Sequence, residues 1–194
     1  IACRIIRSAR SIGLRTVAVY SEADRLSRHV EEADEAVAVG PAAARDSYLR
    51  METILEAAQA TGATMVHPGY GFLSENAGFA EACEAAGIAF AGPTGEQIRR
   101  FGLKHTSREI AAACGVPLLP GSALLADEAE ALREAARVGY PVMLKATAGG
   151  GGIGMRLCRN ETELRDGLGS VQRLGAANFR DSGVYLEKFV ERAR

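Results

Sequence analysis

No stretch of this sequence is apolar for long enough to span a bilayer, and its Lys and Arg residues are scattered rather than gathered into a stripe. The first lack argues against a membrane span. The second argues against nucleic acid or an anionic membrane surface as a partner. The formal net charge is −1 over 194 residues, so any anion must be held locally. The four cysteines, Cys3, Cys83, Cys114 and Cys158, stand far apart with no C-x-x-C pair. That spacing counts against zinc and against a disulfide framework, and points to reduced, buried thiols in a cytoplasmic protein. No charged-then-apolar leader is present, no Met stands first and the chain stops at FVERAR, so the expectation is a segment of something longer. What is there is an apolar fraction of 47%, that of a globular chain able to bury one sizeable core or two modest ones.

Apolar runs alternate with amphipathic ones. IACRIIRSARS repeats apolar residues at helical spacing and stops at Gly13, and RTVAVYS follows as a β-branched run closed by the acidic SEAD turn. EAVAVG, ATMVHPG and IAFAGP then read as strands, separated by the helical DSYLRMETILEAAQATG and NAGFAEACEAAG. Short apolar strands separated by helices predict an α/β unit with a parallel, Rossmann-like sheet, here lacking an opening strand ahead of its first helix. After Pro93 the texture changes. Thr94 and Gln97 form a capping-box pattern, and QIRRFGL and HTSREIAAACG read as two connector helices. From GVPLLPGSALL onward a small α+β unit follows: DEAEALREAARVG helix, YPVMLKA strand, a glycine loop, MRLCR strand, a helix capped at Asn160, and GVYLEKFVE strand. The expected division is 1–93, 94–117 and 118–194.

The loop KATAGGGGIGM contains a formal G-x-G-x-x-G in Gly149, Gly151 and Gly154. A dinucleotide fingerprint needs a helix immediately after its glycines, so that a pyrophosphate sits on the helix N-terminus. A strand follows here instead. A Walker loop needs Gly-Lys-Ser/Thr before a helix, and neither is present. What remains is a hairpin whose tip is bare backbone. Such a tip costs chain entropy and packs nothing, but its N–H groups can close over phosphate oxygens, and a hairpin of this kind can act as a lid. The plainer reading is a flexible surface loop. Lys145, at the end of an apolar strand, asks for an anionic partner, although a lysine can also snorkel from an edge strand. Kinase-type glycine loops also lie between strands, but their lysine follows the loop.

A Lys before a glycine hairpin, then a helix and a strand ending in LEKFVE, resembles the lid subdomain of the ATP-grasp superfamily. His67 to Asn76, HPGYGFLSEN, resemble the signature of biotin carboxylases in the same strand–loop–helix order. Nearly the whole chain is thereby similar to the N-terminal and lid regions of a biotin carboxylase domain. Gly102-Leu103-Lys104-His105 stands where that family usually has Gly-Asp-Lys. FGLKHTSREIAAACGVPLLPG with KATAGGGGIGM is most similar to the urea carboxylase branch, as in urea amidolyase, rather than to acetyl-CoA or pyruvate carboxylases.

The resemblance implies a ligase in which ATP phosphorylates bicarbonate to carboxyphosphate, which delivers CO2 to biotin carried on a separate domain. It implies ATP-phosphate contacts from Lys104 and Lys145, a phosphate cover from Gly149, Gly150, Gly151, Gly152 and Gly154, and adenine contacts from main-chain groups at Glu187, Lys188 and Val190. Tyr70 matches the tyrosine on the biotin and bicarbonate side. His67 reads as a hydrogen-bonded structural histidine, and Ser74, Glu75 and Asn76 as a turn and helix cap. The resemblance places the Mg2+ ligands and the catalytic base after residue 194, so no catalytic or metal residue is assigned within the chain. A biotin carboxyl carrier domain and a carboxyltransferase domain are the implied partners. Arg4 and Arg7 fall where family dimers make contacts, though an exposed arginine pair is usually only solvated. Two other readings stay open: another ATP-grasp ligase of the carbamoyl-phosphate synthetase type, and a nonenzymatic nucleotide-binding module.

Overall fold

The computed structural model describes residues 1–148, 152–179 and 182–192. The chain divides into two units, Ile1–Arg99 and Arg100–Arg194.

In the first unit, helix α1 (Ala2–Ser11) leads into β1 (Val17–Ser21), short helix α2 (Arg28–Glu32), β2 (Glu35–Gly40), α3 (Met51–Ala60), β3 (Met65–Val66), α4 (Ala77–Ala85) and β4 (Ala89–Phe90). Strands β1 and β2 pair in parallel, as do β3 and β4. The alternation of elements and the parallel pairing are as the sequence predicts, and the described strands stand in two parallel pairs. A cavity of about 500 Å³ is lined by Val17 and Val19 of β1, Met65 and Val66 of β3, and Ile54 and Ala57 of α3. Among the described residues no strand pairs with both β1 and β3. The core is built by Val39 of β2, Ile54 of α3, Phe79 and Cys83 of α4, and Leu73 and Ile88 from the connections. Phe79 meets Phe90 edge-on with ring centroids 6.0 Å apart.

Helix α5 (Gly95–Gly102) starts at the expected capping box: Thr94 N–H donates to Gln97 Oε1 at 2.9 Å and Gln97 N–H to Thr94 Oγ1 at 3.2 Å. In the second unit follow α6 (Lys104–Ala113), α7 (Glu128–Val138), β5 (Val142–Ala146), β6 (Met155–Cys158), α8 (Glu161–Phe179) and β7 (Val184–Lys188). Their sheet has the order β6-β5-β7 and is antiparallel throughout. Strand β5 alternates strictly: Val142, Leu144 and Ala146 are buried, whereas Met143 and Lys145 face the other way. The buried set packs with Ala131 and Ala135 of α7 and Leu164, Leu168 and Val171 of α8. Helix α8 caps as predicted, with Glu163 N–H donating to Asn160 Oδ1 at 2.9 Å.

Candidate functional site

The face of the β6-β5-β7 sheet turned away from this core carries the charged residues. Lys145 is opposite Tyr185 and Met155 in the ladder, and Met143 is opposite Glu187 and Leu157. Cross-strand partners share a face, so Met143, Lys145, Met155, Tyr185 and Glu187 form one floor, with Lys145 and Glu187 on a diagonal. Lys145 Nζ donates to Glu187 Oε2 across that diagonal. The other oxygen, Oε1, accepts from Arg108 Nη1 at 2.5 Å, and Arg108 Nη2 donates to the Leu119 carbonyl at 2.8 Å. Burial also pushes the Tyr185 phenol up, with the Glu187 charge adding to the effect.

Lys104 is brought to the same end of β5. It opens α6, whose first N–H has no partner inside the helix; that N–H donates to the Thr147 carbonyl at 3.2 Å. The neighbouring His105 Nδ1 is a hydrogen-bond partner of the fully buried Thr147 hydroxyl. Thr147 in turn donates its N–H to the Gly183 carbonyl at 2.9 Å. The start of α6, the end of β5 and the start of β7 are thus tied at a single residue, two positions past Lys145. His105 and Thr147, and likewise Arg108, escaped sequence reading. Their partners lie 42 and 79 residues away, and no periodicity reports a polar contact over such separations.

Of the loop glycines, Gly149, Gly150 and Gly151 lie outside the described residues. Gly152 and Gly154 both have positive φ, +82° and +74°. They differ in their surroundings. A Cβ on Gly154 would lie 2.8 Å from the Cβ of Ala146, and the Gly154 carbonyl accepts from Ala146 N–H at 2.8 Å. Gly154 therefore has a packing reason of its own: it lets the hairpin close against β5. A Cβ on Gly152 would meet nothing within 4 Å among the described residues.

At the far end of the site, Lys188 Nζ donates to the Gly139 and Tyr140 carbonyls, at 2.8 Å each, and its N–H to the Pro120 carbonyl at 2.7 Å. Its ammonium therefore braces the turn before β5. Val190 follows β7 and is 42% exposed.

In the first unit Tyr70 is 80% exposed on the loop after β3. Two contacts shape that loop. Gly69 N–H donates to His67 Nδ1 at 3.1 Å, which gives the histidine a structural hydrogen bond. Phe72 has φ +47°, the one positive value at a non-glycine among the described residues. Such a backbone needs support from its surroundings. Phe72 stacks on Tyr48 at 5.3 Å, and Tyr48 is held by donating to Asp24 Oδ2 at 2.6 Å while accepting from Ser21 N–H at 2.9 Å. The Tyr48 bond, with help from Ser21 and Ser27, holds the Asp24 carboxyl below its ordinary range. Asn76 caps α4 by accepting from Phe79 N–H at 2.9 Å. Arg7, on α1, pairs with Glu32 at 3.2 Å.

The second-unit floor fits a nucleotide better than it fits a metal. It offers the Lys145 ammonium and apolar surface from Met143 and Met155. Among the described residues no three His, Cys, Asp or Glu side chains converge as metal ligands.

Comparison with known proteins agrees with this division. Residues 104–194 match the family described as carbamoyl-phosphate synthase L chain, ATP binding domain. The biotin carboxylase of Halalkalibacterium halodurans is 52% identical over 195 residues, covering all of this chain and 43% of that protein. The urea amidolyase of Lachancea kluyveri is 51% identical over 194 residues, covering all of this chain and 11% of that protein. The chain thus spans less than half the length of these relatives. Among solved structures, the biotin carboxylase domain dimer of Hydrogenobacter thermophilus 2-oxoglutarate carboxylase, in complex with MgADP, ADP and bicarbonate, superposes with a TM-score of 0.90 at 45% identity. That match covers 98% of this chain and 42% of the other. Residues 1–98, half of the sequence, match the family described as biotin carboxylase, N-terminal domain, and the chain belongs to the biotin carboxylase family.

Proposed function

We propose that the chain supplies part of the ATP site of a biotin carboxylase, a ligase that carboxylates biotin at the expense of ATP and bicarbonate. The observation that carries this reading is the convergence at the end of β5. Lys145 lies on the open sheet face, and the first residue of α6, Lys104, is tied by its backbone to Thr147 two residues further on. Compact ammonium groups suit phosphate oxygens whose charge changes during phosphoryl transfer. Bound ATP would supply the phosphoryl group that activates bicarbonate as carboxyphosphate.

Each part of the chain has its task in this proposal. Lys145 and Lys104 neutralise phosphate charge, and the Gly149 to Gly154 hairpin covers the phosphates and excludes water. Main-chain groups at Glu187, Lys188 and Val190 read the adenine edge, and the Met143 and Met155 side chains offer apolar surface to a flat ring. Tyr70 lines the biotin and bicarbonate side. Helices α5 and α6 form most of a connector, 94–117, between a first domain at 1–93 and a lid at 118–194. Mg2+ would be held by residues from elsewhere in the protein, and biotin would arrive on a carrier domain, with a carboxyltransferase completing the reaction. The H. thermophilus relative is a dimer, and a homodimer is proposed here on that similarity. A cytoplasmic location is proposed on the four free, widely spaced thiols.

For the final carboxyl acceptor we propose urea, on the strength of FGLKHTSREIAAACGVPLLPG. Acyl-CoA and pyruvate are the competing acceptors. Nearly equal identity to a biotin carboxylase and to a urea amidolyase gives neither side an advantage. The experiment is ATP cleavage by the full-length protein, with and without bicarbonate, biotin and urea. Cleavage that requires bicarbonate and rises with biotin supports the carboxylase reading. Cleavage indifferent to both overturns it in favour of another ATP-grasp ligase, and no nucleotide binding at all removes the site. Consumption of urea decides the acceptor.

A further inference from the structure

Arg108 takes no part in the site described so far except by contact with Glu187. It sits one turn into α6, the helix that begins with Lys104. Its guanidinium is forked between the Glu187 carboxylate and the Leu119 carbonyl, at 2.5 and 2.8 Å. The three side chains of the cluster are largely shielded from water: Arg108 is 17% exposed, Glu187 14% and Lys145 24%. Space for the fork is made at Gly121, where a Cβ would lie 2.7 Å from Arg108 Nη2 and 2.8 Å from the Leu186 carbonyl. The Leu186 carbonyl belongs to the β7 backbone and cannot yield.

We propose that Arg108 is a positioning residue of the nucleotide site, which holds the Glu187 carboxylate so that Lys145 can leave it for an incoming phosphate. This inference rests on the nucleotide-site reading above. Consider the cluster without Arg108. Lys145 and Glu187 would form a neutral pair in shielded surroundings, and a phosphate would have to pull Lys145 away and leave a carboxylate unpaired. Breaking a shielded ion pair by removing one partner is costly because of the charge left behind. With Arg108 in place the carboxylate keeps a forked, charge-assisted partner whichever way Lys145 turns. The cluster also carries two cations against one anion, so a positive charge remains to attract phosphate. Arg108 acts through Glu187 and touches no nucleotide itself.

The test is steady-state kinetics and equilibrium binding of a non-hydrolysable ATP analogue to the full-length protein, in wild type, Arg108→Met, Arg108→Lys, Glu187→Gln and the Arg108→Met/Glu187→Gln double variant. Arg108→Met is expected to raise the KM for ATP and the analogue Kd about tenfold, the scale of one lost charge-assisted interaction, with much less change in kcat or in the KM for biotin. Arg108→Lys should recover part of that loss, because it restores the charge but not the fork. In the Glu187→Gln background the effect of Arg108→Met should shrink to twofold or less, since no carboxylate remains to be orphaned. An equal loss in both backgrounds, or a fall in kcat and thermal stability without a change in ATP affinity, would mean that Arg108 is only a structural brace and would overturn the proposal. If Arg108→Met does not fold, Arg108→Lys against Glu187→Gln decides by the same criterion. Wild-type protein that binds no analogue would refute the nucleotide-site reading, and this inference with it. Wild type that binds while every Arg108 variant binds equally would refute the inference alone.

Discussion

Alanine at Gly154 and alanine at Gly152 are expected to have unequal consequences, although both glycines have positive φ. Each substitution forces an L-residue into the left-handed region, which costs about 1–2 kcal/mol. At Gly152 no packing cost is added, because a Cβ there meets nothing within 4 Å among the described residues. At Gly154 the new Cβ would stand 2.8 Å from that of Ala146, a buried β5 residue whose N–H is bonded to the Gly154 carbonyl. Overpacking against a strand that cannot retreat adds about 1–3 kcal/mol. Gly154→Ala should therefore cost roughly 2–5 kcal/mol, against about 1–2 kcal/mol for Gly152→Ala. For a unit of this size each 1 kcal/mol lowers the melting temperature by about 4–8 °C, so the extra ~1–3 kcal/mol at Gly154 should separate the two variants by roughly 4–24 °C. Calorimetric melting of wild type and both variants provides the assay. Equal melting temperatures for the two variants would refute the reasoning, because they would show that the approach of the hairpin to β5 imposes no constraint.

Three further outcomes follow from the same geometry. Tyr48→Phe removes the acceptor of the Ser21 N–H and the donor to Asp24, and should destabilise the first unit by about 1–3 kcal/mol in denaturant unfolding. Acid should weaken the first unit too: the Asp24 carboxyl is held below its ordinary value of 3.8, chiefly by the Tyr48 hydrogen bond, and that of Asp34 chiefly by Thr16. Both contributions are complete above the unfolded value and vanish as pH falls from about 4 through the folded values, so circular dichroism followed from pH 6 to 2 should show Asp24→Asn with a shallower acid loss than wild type. Leu144, fully buried on the central strand β5, should cost about 2–5 kcal/mol when replaced by alanine, read as a shift in the denaturant midpoint without a change in slope.

Much of this architecture is legible in the residues because it depends on local chemistry. The Thr94–Gln97 box, the caps at Asn76 and Asn160 and the strict alternation of Val142, Leu144 and Ala146 are set by neighbours within a few positions. The feature that excludes a dinucleotide fingerprint is equally local, since a strand rather than a helix follows Gly154. Helix α2 is not legible, because RHVEE is too short to display a period and carries a single large apolar residue. The largest gap lies in the site itself. Lys145 and Glu187 were each legible as candidates, but their pairing depends on the register of β5 with β7, and Arg108 joins them from a helix 79 residues earlier. A lysine at a strand end announces a need for an anion. It does not announce that Glu187 is the carboxylate that meets that need.

The central claim, that the end of β5 is a phosphate site, is tested most directly by titrating ATP onto the full-length protein with Lys145 or Lys104 replaced by methionine. The account predicts that each replacement weakens ATP binding by about tenfold or more, with a shallower dependence on salt than in wild type. Unchanged affinity and unchanged salt dependence in both variants would contradict it.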